Sequence, residues 1–276
     1  MSSKAVKTIL MCNPTYFQVK YSINPWMKIN QPVDVPKAKK QWTALKDAIE
    51  KAGAEVKVME PHGAEQYPDL VFTANAATVR GKTAYLANFF YPERQGERYF
   101  YNKWFSDNGY TTTGSLDIPF EGTGDALWAG FKRDKLICGV GPRTDVRALD
   151  QLKTDLSVNS NAEFKTVGMR LIDPRFYHID TCLCPLNGDL GIYYPYAFDP
   201  ISRHNLKNEL ELIPVSHDDA SRFACNAVVV GKTVIMNEGS ELIARDLQKF
   251  GYDTVFVNMS EFLKSGGSCK CCTLEI

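Results

Sequence analysis

The stretch Asn226-Ala-Val-Val-Val-Gly-Lys-Thr-Val-Ile-Met236 carries the pattern that decides the fold. Two apolar, β-branched runs flank the turn Gly231-Lys232, which predicts a β-hairpin. Three earlier stretches repeat this pattern, and the residue immediately before each of the four hairpins is Asn75, Asp125, Asp180 or Asn226. These four residues lie 50, 55 and 46 positions apart. Cys271, which we expect to open a further strand, follows after another 45.

Helix-like stretches separate the hairpins, and each leads into a new strand. A fixed period of this length indicates a repeat architecture. Five units of strand, strand, helix and strand would close into a ring, as radial repetition does in propellers. We therefore predict a five-bladed αβ-propeller of ββαβ repeats with pseudo-fivefold symmetry. The fifth unit would start at Cys271 and be completed by a lone N-terminal strand. An open, doubly wound sheet is the alternative, because it also alternates strands and helices.

Several element boundaries follow from periodicity, turn residues and caps. Gly53 directly follows a predicted helix, at a position where glycine is common. The predicted elements are strands Lys7–Met11 and Glu55–Met59 and helices Pro36–Ala52, Glu93–Asn108, Val146–Leu156 and Ser240–Phe250.

The bulk composition is that of an ordinary soluble globular protein. The 276 residues are 44% hydrophobic and 23% charged, and 32 basic residues balance 32 acidic ones. A net charge of zero gives no indication of a nucleic acid or membrane surface as a partner. The chain has no apolar run long enough for a membrane span and no signal-peptide core. Eight cysteines then indicate reduced thiols in the cytosol. We expect one cytoplasmic domain over residues 1–276.

The C-terminal stretch Ser265-Gly-Gly-Ser-Cys-Lys-Cys-Cys-Thr-Leu-Glu-Ile276 is the first candidate for chemistry. Glycines allow close backbone approach to a ligand, and Lys270 beside Cys271 predicts a lowered thiol pKa and a nucleophile. The alternative is a buried structural thiol, because free cysteine is often fully buried. The C-x-C and CC spacings lack the two-residue gap of structural zinc sites, so we predict no metal.

Two further motifs place acids near a histidine. In Phe176-Tyr-His-Ile-Asp180, His178 and Asp180 would share one face of an extended segment, so that one serves as acid and base while the other holds a cation. Phe120-Glu-Gly-Thr-Gly-Asp125 sets two carboxylates around two glycines, which suits a cationic ligand. A satisfied core histidine and an ordinary turn are the alternatives. These residues predict a thiol enzyme that acts on a cation.

The same motifs resemble those of the guanidine-modifying superfamily, which includes arginine deiminases, dimethylarginine dimethylaminohydrolases and amidinotransferases. The resemblance covers Leu10 to the terminus and implies a five-bladed αβ-propeller. It is greatest to arginine dihydrolases, which convert arginine to ornithine, carbon dioxide and two ammonia. The shared motifs are Ile23-Asn-Pro-Trp26, Pro68-Asp-x-Val-Phe-Thr-Ala-Asn75, Glu93-Arg-Gln-Gly96, Phe120-Glu-Gly-x-Gly-Asp125 and Lys270-Cys271.

The resemblance implies a catalytic role for four residues. Cys271 would attack the guanidinium carbon and form a thiouronium intermediate, and His178 would protonate the leaving amine and then activate water. Glu121 and Asp180 would hold the guanidinium. The implied substrate-binding residues are Arg94 and Arg143 for the carboxylate, with Asn24, Asp69 and Asp125 as further contacts or ordering groups. The resemblance implies a small guanidino substrate and no metal or organic cofactor, and it leaves the oligomeric state open.

Asn75 departs from part of the superfamily. Deiminases and dimethylaminohydrolases have an acid at this position, which suits a guanidinium but repels the ureido oxygen of citrulline. The Asn75 amide can both donate and accept a hydrogen bond, so it should tolerate citrulline for a second attack. Dihydrolase is therefore the first prediction. Arginine deiminase, dimethylarginine hydrolysis, amidino transfer and a non-catalytic propeller remain alternatives. A second domain is known in such dihydrolases, and this chain resembles the catalytic domain alone.

Overall fold

The computed structural model describes residues 6–158 and 163–276. Fifteen strands in these ranges form five separate three-stranded sheets, which confirms the αβ-propeller and excludes a single open sheet. The strands are β1 (Thr8–Cys12), β2 (Glu55–Met59), β3 (Ala77–Arg80), β4 (Thr83–Leu86), β5 (Thr111–Thr113), β6 (Ala126–Ala129), β7 (Lys135–Val140), β8 (Lys165–Arg170), β9 (Leu183–Pro185), β10 (Leu190–Tyr193), β11 (Glu211–Pro214), β12 (Val228–Val230), β13 (Thr233–Asn237), β14 (Asp253–Val257) and β15 (Leu274–Glu275).

Most helices connect the second and third strands of a sheet, whereas the short helices His217–Ser221 and Ser260–Leu263 precede the first strand of the next sheet. In the described ranges the helices are α1 (Val35–Lys51), α2 (Pro92–Gln95), α3 (Glu97–Asp107), α4 (Ala148–Ser157), α5 (Pro200–Glu209), α6 (His217–Ser221), α7 (Glu241–Lys249) and α8 (Ser260–Leu263). The helix α5 of the third unit was not among the predicted elements. No helix in these ranges has the length and apolarity that a membrane crossing requires.

Every sheet has the same order and polarity. The middle strand pairs antiparallel with its hairpin partner and parallel with the strand that follows the helix, as β7 does with β6 and β8. In the fifth sheet the middle strand is β1, which pairs antiparallel with β15 and parallel with β2. The N-terminal strand thus completes the unit that the C-terminus begins, as predicted. The first and the last strand therefore lie in one sheet.

Helix α1 shows how local sequence fixes these elements. The Asp34 side chain accepts a hydrogen bond from the Lys37 amide, and Pro36 lies in the first turn. Gly53 follows the helix with φ of +101°, a conformation that glycine adopts without strain. The predicted helix Glu93–Asn108 is in fact two helices that meet at Gly96. A Cβ at Gly96 would lie 1.9 Å from the Tyr67 hydroxyl, so the glycine admits a tyrosine at the junction.

The hairpins begin from short turns on one side of the ring. Asn75, Asp125 and Asp180 lie in or directly after single 3-10 turns, Thr73–Ala76, Gly122–Gly124 and Ile179–Thr181. Cys271 does not open a strand as predicted. It lies in a turn three residues before β15, because the Thr273 amide and hydroxyl both bond to the Lys270 carbonyl. Strand alternation therefore does not decide which way Cys271 and Cys272 point.

Candidate active site

The thiol of Cys271 is held by two side chains from neighbouring units. Asn226 Nδ2 lies 3.1 Å from Cys271 Sγ, and Asn226 Oδ1 accepts the Cys271 amide at 3.1 Å. The thiol faces Asp180 Oδ2 at 3.4 Å. Cys271 is 2% exposed, and Asn226 and Asp180 are fully buried. Three of the five residues that begin the units therefore meet at one sulfur atom.

The expectation that Lys270 lowers the thiol pKa is wrong for this conformation. Burial and the neighbouring Asp180 raise the pKa of Cys271 well above its usual value, and the Asn226 hydrogen bond opposes them only in part. Lys270 Nζ points elsewhere, with the Thr273 carbonyl as its hydrogen-bond acceptor at 3.5 Å. The thiol is therefore protonated at neutral pH, and a cation must approach before it can become a thiolate.

Asp180 provides an acceptor for such a cation. Its Oδ1 atom is buried and has no hydrogen-bond partner among the described residues. Burial raises the pKa of Asp180 to about 7, against the opposing effect of Lys270. A buried carboxylate oxygen without a donor is costly. A guanidinium bound next to the thiol would supply that donor and a positive charge together.

His178 lies between Glu121 and Asn75. Its Nε2 is 2.7 Å from Glu121 Oε2, and its Nδ1 is 3.5 Å from Asn75 Nδ2. An amide nitrogen can only donate, so these partners place the ring proton on Nε2 and leave Nδ1 as an acceptor. The predicted extended segment is wrong beyond His178, because the chain turns into the 3-10 turn at Ile179. His178 and Asp180 therefore contact different partners, Glu121 and Cys271.

Glu121 is fully engaged in this conformation. Its Oε2 accepts Arg143 at 2.9 Å as well as His178, and its Oε1 accepts the Phe90 amide at 3.1 Å. Burial would raise the pKa of Glu121, but Arg143 and His178 outweigh it and lower the pKa to about 2. The Glu121 carboxyl group is therefore ionised at neutral pH. To hold a guanidinium as predicted, it would exchange one of these partners for the substrate.

The two arginines predicted to bind a carboxylate are both buried and paired. Arg94 forms two 2.8 Å hydrogen bonds to Glu97 and a third, also 2.8 Å, to Asn75 Oδ1. In addition to Glu121, Arg143 donates to the Ile23 carbonyl at 2.8 Å. The Arg143 guanidinium lies between two aromatic rings, 4.6 Å from that of Tyr91 and 4.7 Å from that of Tyr177. Stacking and ion pairing fix this guanidinium plane.

One small cavity brings most of the predicted residues together. Its volume is about 10 Å³, too small for an arginine side chain. The predicted site residues that line it are Asn24, Asp69, Asn75, Arg94, Arg143 and Cys271. Glu121, His178 and Asp180 are each in direct contact with a member of this set. Substrate binding therefore requires part of the cavity wall to move.

The loop between β1 and α1 closes this cavity. Asn24 Nδ2 donates to the Ser265 carbonyl at 3.0 Å, and Trp26 Nε1 donates to the Arg175 carbonyl at 2.8 Å. Asp69 accepts Tyr21 Oη from this loop at 2.8 Å and Ser265 Oγ at 3.0 Å. Loops over an active site commonly open and close with each turnover.

Asp125 does not line the cavity but contacts the segment that follows His178. Its Oδ1 accepts the Ile179 amide at 3.1 Å, and its Oδ2 accepts the Thr144 hydroxyl at 2.7 Å. Burial raises the pKa of Asp125 to about 6. Asp125 thus orders the turn that follows His178, as an ordering group and not as a residue that lines the cavity.

Two glycines make room for Asn75. Gly122 has φ of +60°, and a Cβ there would lie 2.5 Å from the Ala74 carbonyl oxygen. A Cβ at Gly124 would lie 2.3 Å from Asn75 Nδ2 and 3.2 Å from His178 Nδ1. The motif Glu121-Gly-Thr-Gly-Asp125 therefore needs glycine for close approach of two blades.

Sequence reasoning missed three residues of the site. The sequence marks Asn226 as the start of a hairpin, and its equivalence to Asn75 and Asp180 is the signal for a place in the site. Glu97 is three residues after Arg94, a spacing that brings side chains together on a helix. Nothing in the sequence indicated that Tyr177 would stack on Arg143. Among residues 6–158 and 163–276, no group of three His, Cys, Asp or Glu side chains is arranged to hold a metal ion.

Comparison with known proteins places this site in a family. A family model described as "N,N dimethylarginine dimethylhydrolase, eukaryotic" matches residues 14–276. The chain belongs to this family, within the guanidine-modifying superfamily. It is 38% identical to the N(G),N(G)-dimethylarginine dimethylaminohydrolase of Mycobacterium tuberculosis, over 96% of this chain and 84% of the relative. The resemblance predicted from the motifs is confirmed.

The bifunctional arginine dihydrolase/ornithine cyclodeaminase ArgZ of Synechocystis sp. is another relative in this superfamily. The identity is 40% over 275 residues, or 97% of this chain. The chain spans only 37% of the length of that relative. The solved N-terminal domain of ArgZ bound to its substrate has 38% identity and a TM-score of 0.91, and the match covers 98% of this chain and 97% of that domain.

A more distant structure confirms the fold alone. The dimethylarginine dimethylaminohydrolase from Pseudomonas aeruginosa, complexed with citrulline, has a TM-score of 0.81 at 19% identity. The match covers 98% of this chain and 99% of that chain.

Proposed function

We propose that this chain is an arginine dihydrolase and that residues 1–276 are one catalytic domain. The reaction consumes arginine and two waters and gives ornithine, carbon dioxide and two ammonia. The observation that carries this proposal is the orientation of the Asn75 amide. Arg94 binds its oxygen, so its nitrogen is directed toward His178 beside the cavity that Cys271 lines.

The first half of the reaction begins with activation of the thiol. A guanidinium that donates to Asp180 Oδ1 brings a positive charge close to Cys271, which lowers the thiol pKa. The thiol proton passes to His178, and the thiolate adds to the guanidinium carbon. The carbon–nitrogen bond then breaks, and ammonia leaves with the proton that His178 received. Water activated by His178 then attacks the thiouronium carbon, which breaks the carbon–sulfur bond and releases citrulline.

The second half requires that citrulline stay bound. Its ureido oxygen needs a hydrogen-bond donor, whereas the guanidinium of arginine presents only donors. Asn75 Nδ2 is such a donor. An aspartate would present two acceptors to this oxygen and repel it. The proposal therefore predicts that the second carbon–nitrogen cleavage depends on Asn75.

Product analysis with isotope-labelled arginine tests this function, with Asn75→Asp as the variant. We expect ornithine and two ammonia per arginine from the parent and citrulline from Asn75→Asp. The matched control is Asn102→Asp, the same change at an exposed position of α3, which should leave the products unchanged. Citrulline as the sole product of the parent would contradict the proposal and indicate a deiminase.

Dimethylarginine hydrolysis is the second candidate. The family model and the Mycobacterium tuberculosis relative favour it. Release of dimethylamine from dimethylarginine, with no turnover of arginine, would establish this candidate in place of the dihydrolase.

A further inference from the structure

A second cavity lies on the propeller axis, at the opposite end from Cys271. Its volume is about 120 Å³, and it shares no lining residue with the cavity at Cys271. Its wall comes from β6, β9, β12 and β15, each the first hairpin strand of its sheet, and from Ile9 of β1. The strands β6, β9 and β12 run from the active-site turns toward their hairpin turns. The cavity therefore opens among the hairpin turns, on the far side of the ring.

The charges in this second cavity do not balance. Three cations line it, Lys7, Arg133 and Lys270, against the single carboxylate of Glu275. Both oxygens of Glu275 are already used, Oε2 by Lys7 at 2.9 Å and Oε1 by Arg133 at 2.6 Å. The lining thus has a formal excess of two positive charges.

Lys270 accounts for much of that excess. No carboxylate among residues 6–158 and 163–276 forms an ion pair with its ammonium group, whose hydrogen bond is the 3.5 Å contact to the Thr273 carbonyl. An ammonium group has three hydrogens to donate. Burial lowers the pKa of Lys270, and Asp180 and Glu275 raise it. Lys270 is half-buried, so its ammonium group keeps unused hydrogens that a small anion in the cavity could accept.

Arg133 gives an independent indication at the mouth of the cavity. It is a non-glycine residue with φ of +52°, in the left-handed region where strain accumulates at functional positions. Its Nε atom is buried and has no hydrogen-bond partner among the described residues. The β6–β7 turn thus holds a guanidinium over the cavity in a strained conformation and leaves one donor unused.

We propose that this second cavity is a binding site for a small oxyanion about the size of phosphate, held by Lys270 at its base and by Lys7 and Arg133 at its mouth. The oxygens of such an anion would accept the unused hydrogens of Lys270 and Arg133. Because Lys270 directly precedes Cys271, an anion bound here would lie one residue from the nucleophile.

Calorimetric titration of inorganic phosphate into the intact chain, at constant ionic strength with chloride, tests the site. We expect saturable one-to-one binding with a Kd of about 1 mM or tighter. The double change Lys7→Gln and Arg133→Gln should weaken binding about tenfold or more, and Lys270→Met should abolish it. Lys7 and Arg133 are 34% and 41% exposed, so the double variant should fold even if Lys270→Met does not.

The control is Lys103→Gln, which removes one positive charge, as Lys270→Met does, at a position of α3 where the lysine is 62% exposed. It should bind phosphate as the parent does. Two results would overturn the proposal: no saturable binding to the parent, or parent-like binding to the double variant, which would place the phosphate elsewhere.

Discussion

At the scale of single residues, the site is a set of buried polar groups, few of which lack a hydrogen-bond partner. Asn226, Asp180 and His178 all have their contacts fixed across unit boundaries, and only Asp180 keeps an oxygen without a partner. That combination stabilises a neutral thiol until a cation arrives. It also implies that the two groups around the sulfur act in opposite directions on thiolate formation, Asn226 in favour and Asp180 against.

Asn226→Ala tests the first of these effects. Loss of the Nδ2 hydrogen bond should raise the thiol pKa further and free the Cys271 backbone, so kcat should fall about 100-fold, the cost of a misplaced reacting group. The pH profile of the Cys271 alkylation rate should shift to higher pH. A purely structural role would lower the amount of folded protein without moving this profile. Asn102→Ala on α3 is the control.

Asp180→Asn tests the second effect through stability. The pKa of Asp180 is about 7 when folded and about 4 when unfolded. The folded state therefore holds this proton more tightly, and the resulting stability is present below about pH 4 and lost as pH rises to about 7. Above pH 7 the buried charge destabilises the fold, by a few kcal/mol at most.

The neutral amide in Asp180→Asn should raise Tm relative to the parent at pH 8, and by much less at pH 5, while it abolishes turnover. Thermal unfolding at both pH values measures this. The exposed Asp107→Asn serves as the control. An equal Tm difference at the two pH values would contradict the raised pKa.

At the scale of elements, the loop between β1 and α1 decides access to the site. Its contacts reach Ser265, Arg175 and Arg143, which lie in three different parts of the ring. The Trp26 ring also packs on Phe223, at 4.8 Å between centroids. Because the cavity volume is only about 10 Å³, we expect these contacts to break before the proposed substrate arginine enters and to re-form after it binds.

Trp26→Phe removes the hydrogen bond to Arg175 and keeps an aromatic ring. The closed loop should lose about 1 kcal/mol, the net value of a neutral hydrogen bond, so KM for arginine should rise about fivefold with a smaller change in kcat. Steady-state kinetics measure this split. Tyr196→Phe, at an exposed tyrosine, should change neither constant. A fall in kcat alone would show that Trp26 acts on the chemistry rather than on closure.

At the scale of the whole molecule, the strand pair that closes the ring lies directly next to the site. Cys271 is held in place by β15, and β15 pairs with the N-terminal strand β1. Leu10 and Leu274 face each other in that pair, and both are fully buried in one apolar cluster. Damage to the first strand should therefore reach the nucleophile at the other end of the chain.

Leu10→Ala should lower the free energy of unfolding by about 2–5 kcal/mol, the usual cost of such a buried cavity. It should also increase the exposure of Cys271, measured as faster alkylation by a neutral reagent. Val58→Ala in β2 of the same sheet, where the side chain is 36% exposed, should cost much less and leave alkylation unchanged. An unchanged alkylation rate in Leu10→Ala would show that the strand pair that closes the ring does not determine the exposure of Cys271.

The sequence by itself determined the repeat, the five blades, the closing role of the first strand and ten candidate residues that the fold places in or directly behind one site. The repeat, the blades and the closing strand follow from alternation, turn residues and spacing, which act over a few neighbouring positions. Most of the candidate residues follow from the resemblance to the guanidine-modifying superfamily. Tertiary structure alone decided that Cys271 lies in a turn with a raised pKa, that Glu97 and Asn226 belong to the site, and that the loop closes it. Those properties depend on burial and on contacts such as Asp180 to Cys271, 91 residues apart, which no local pattern encodes.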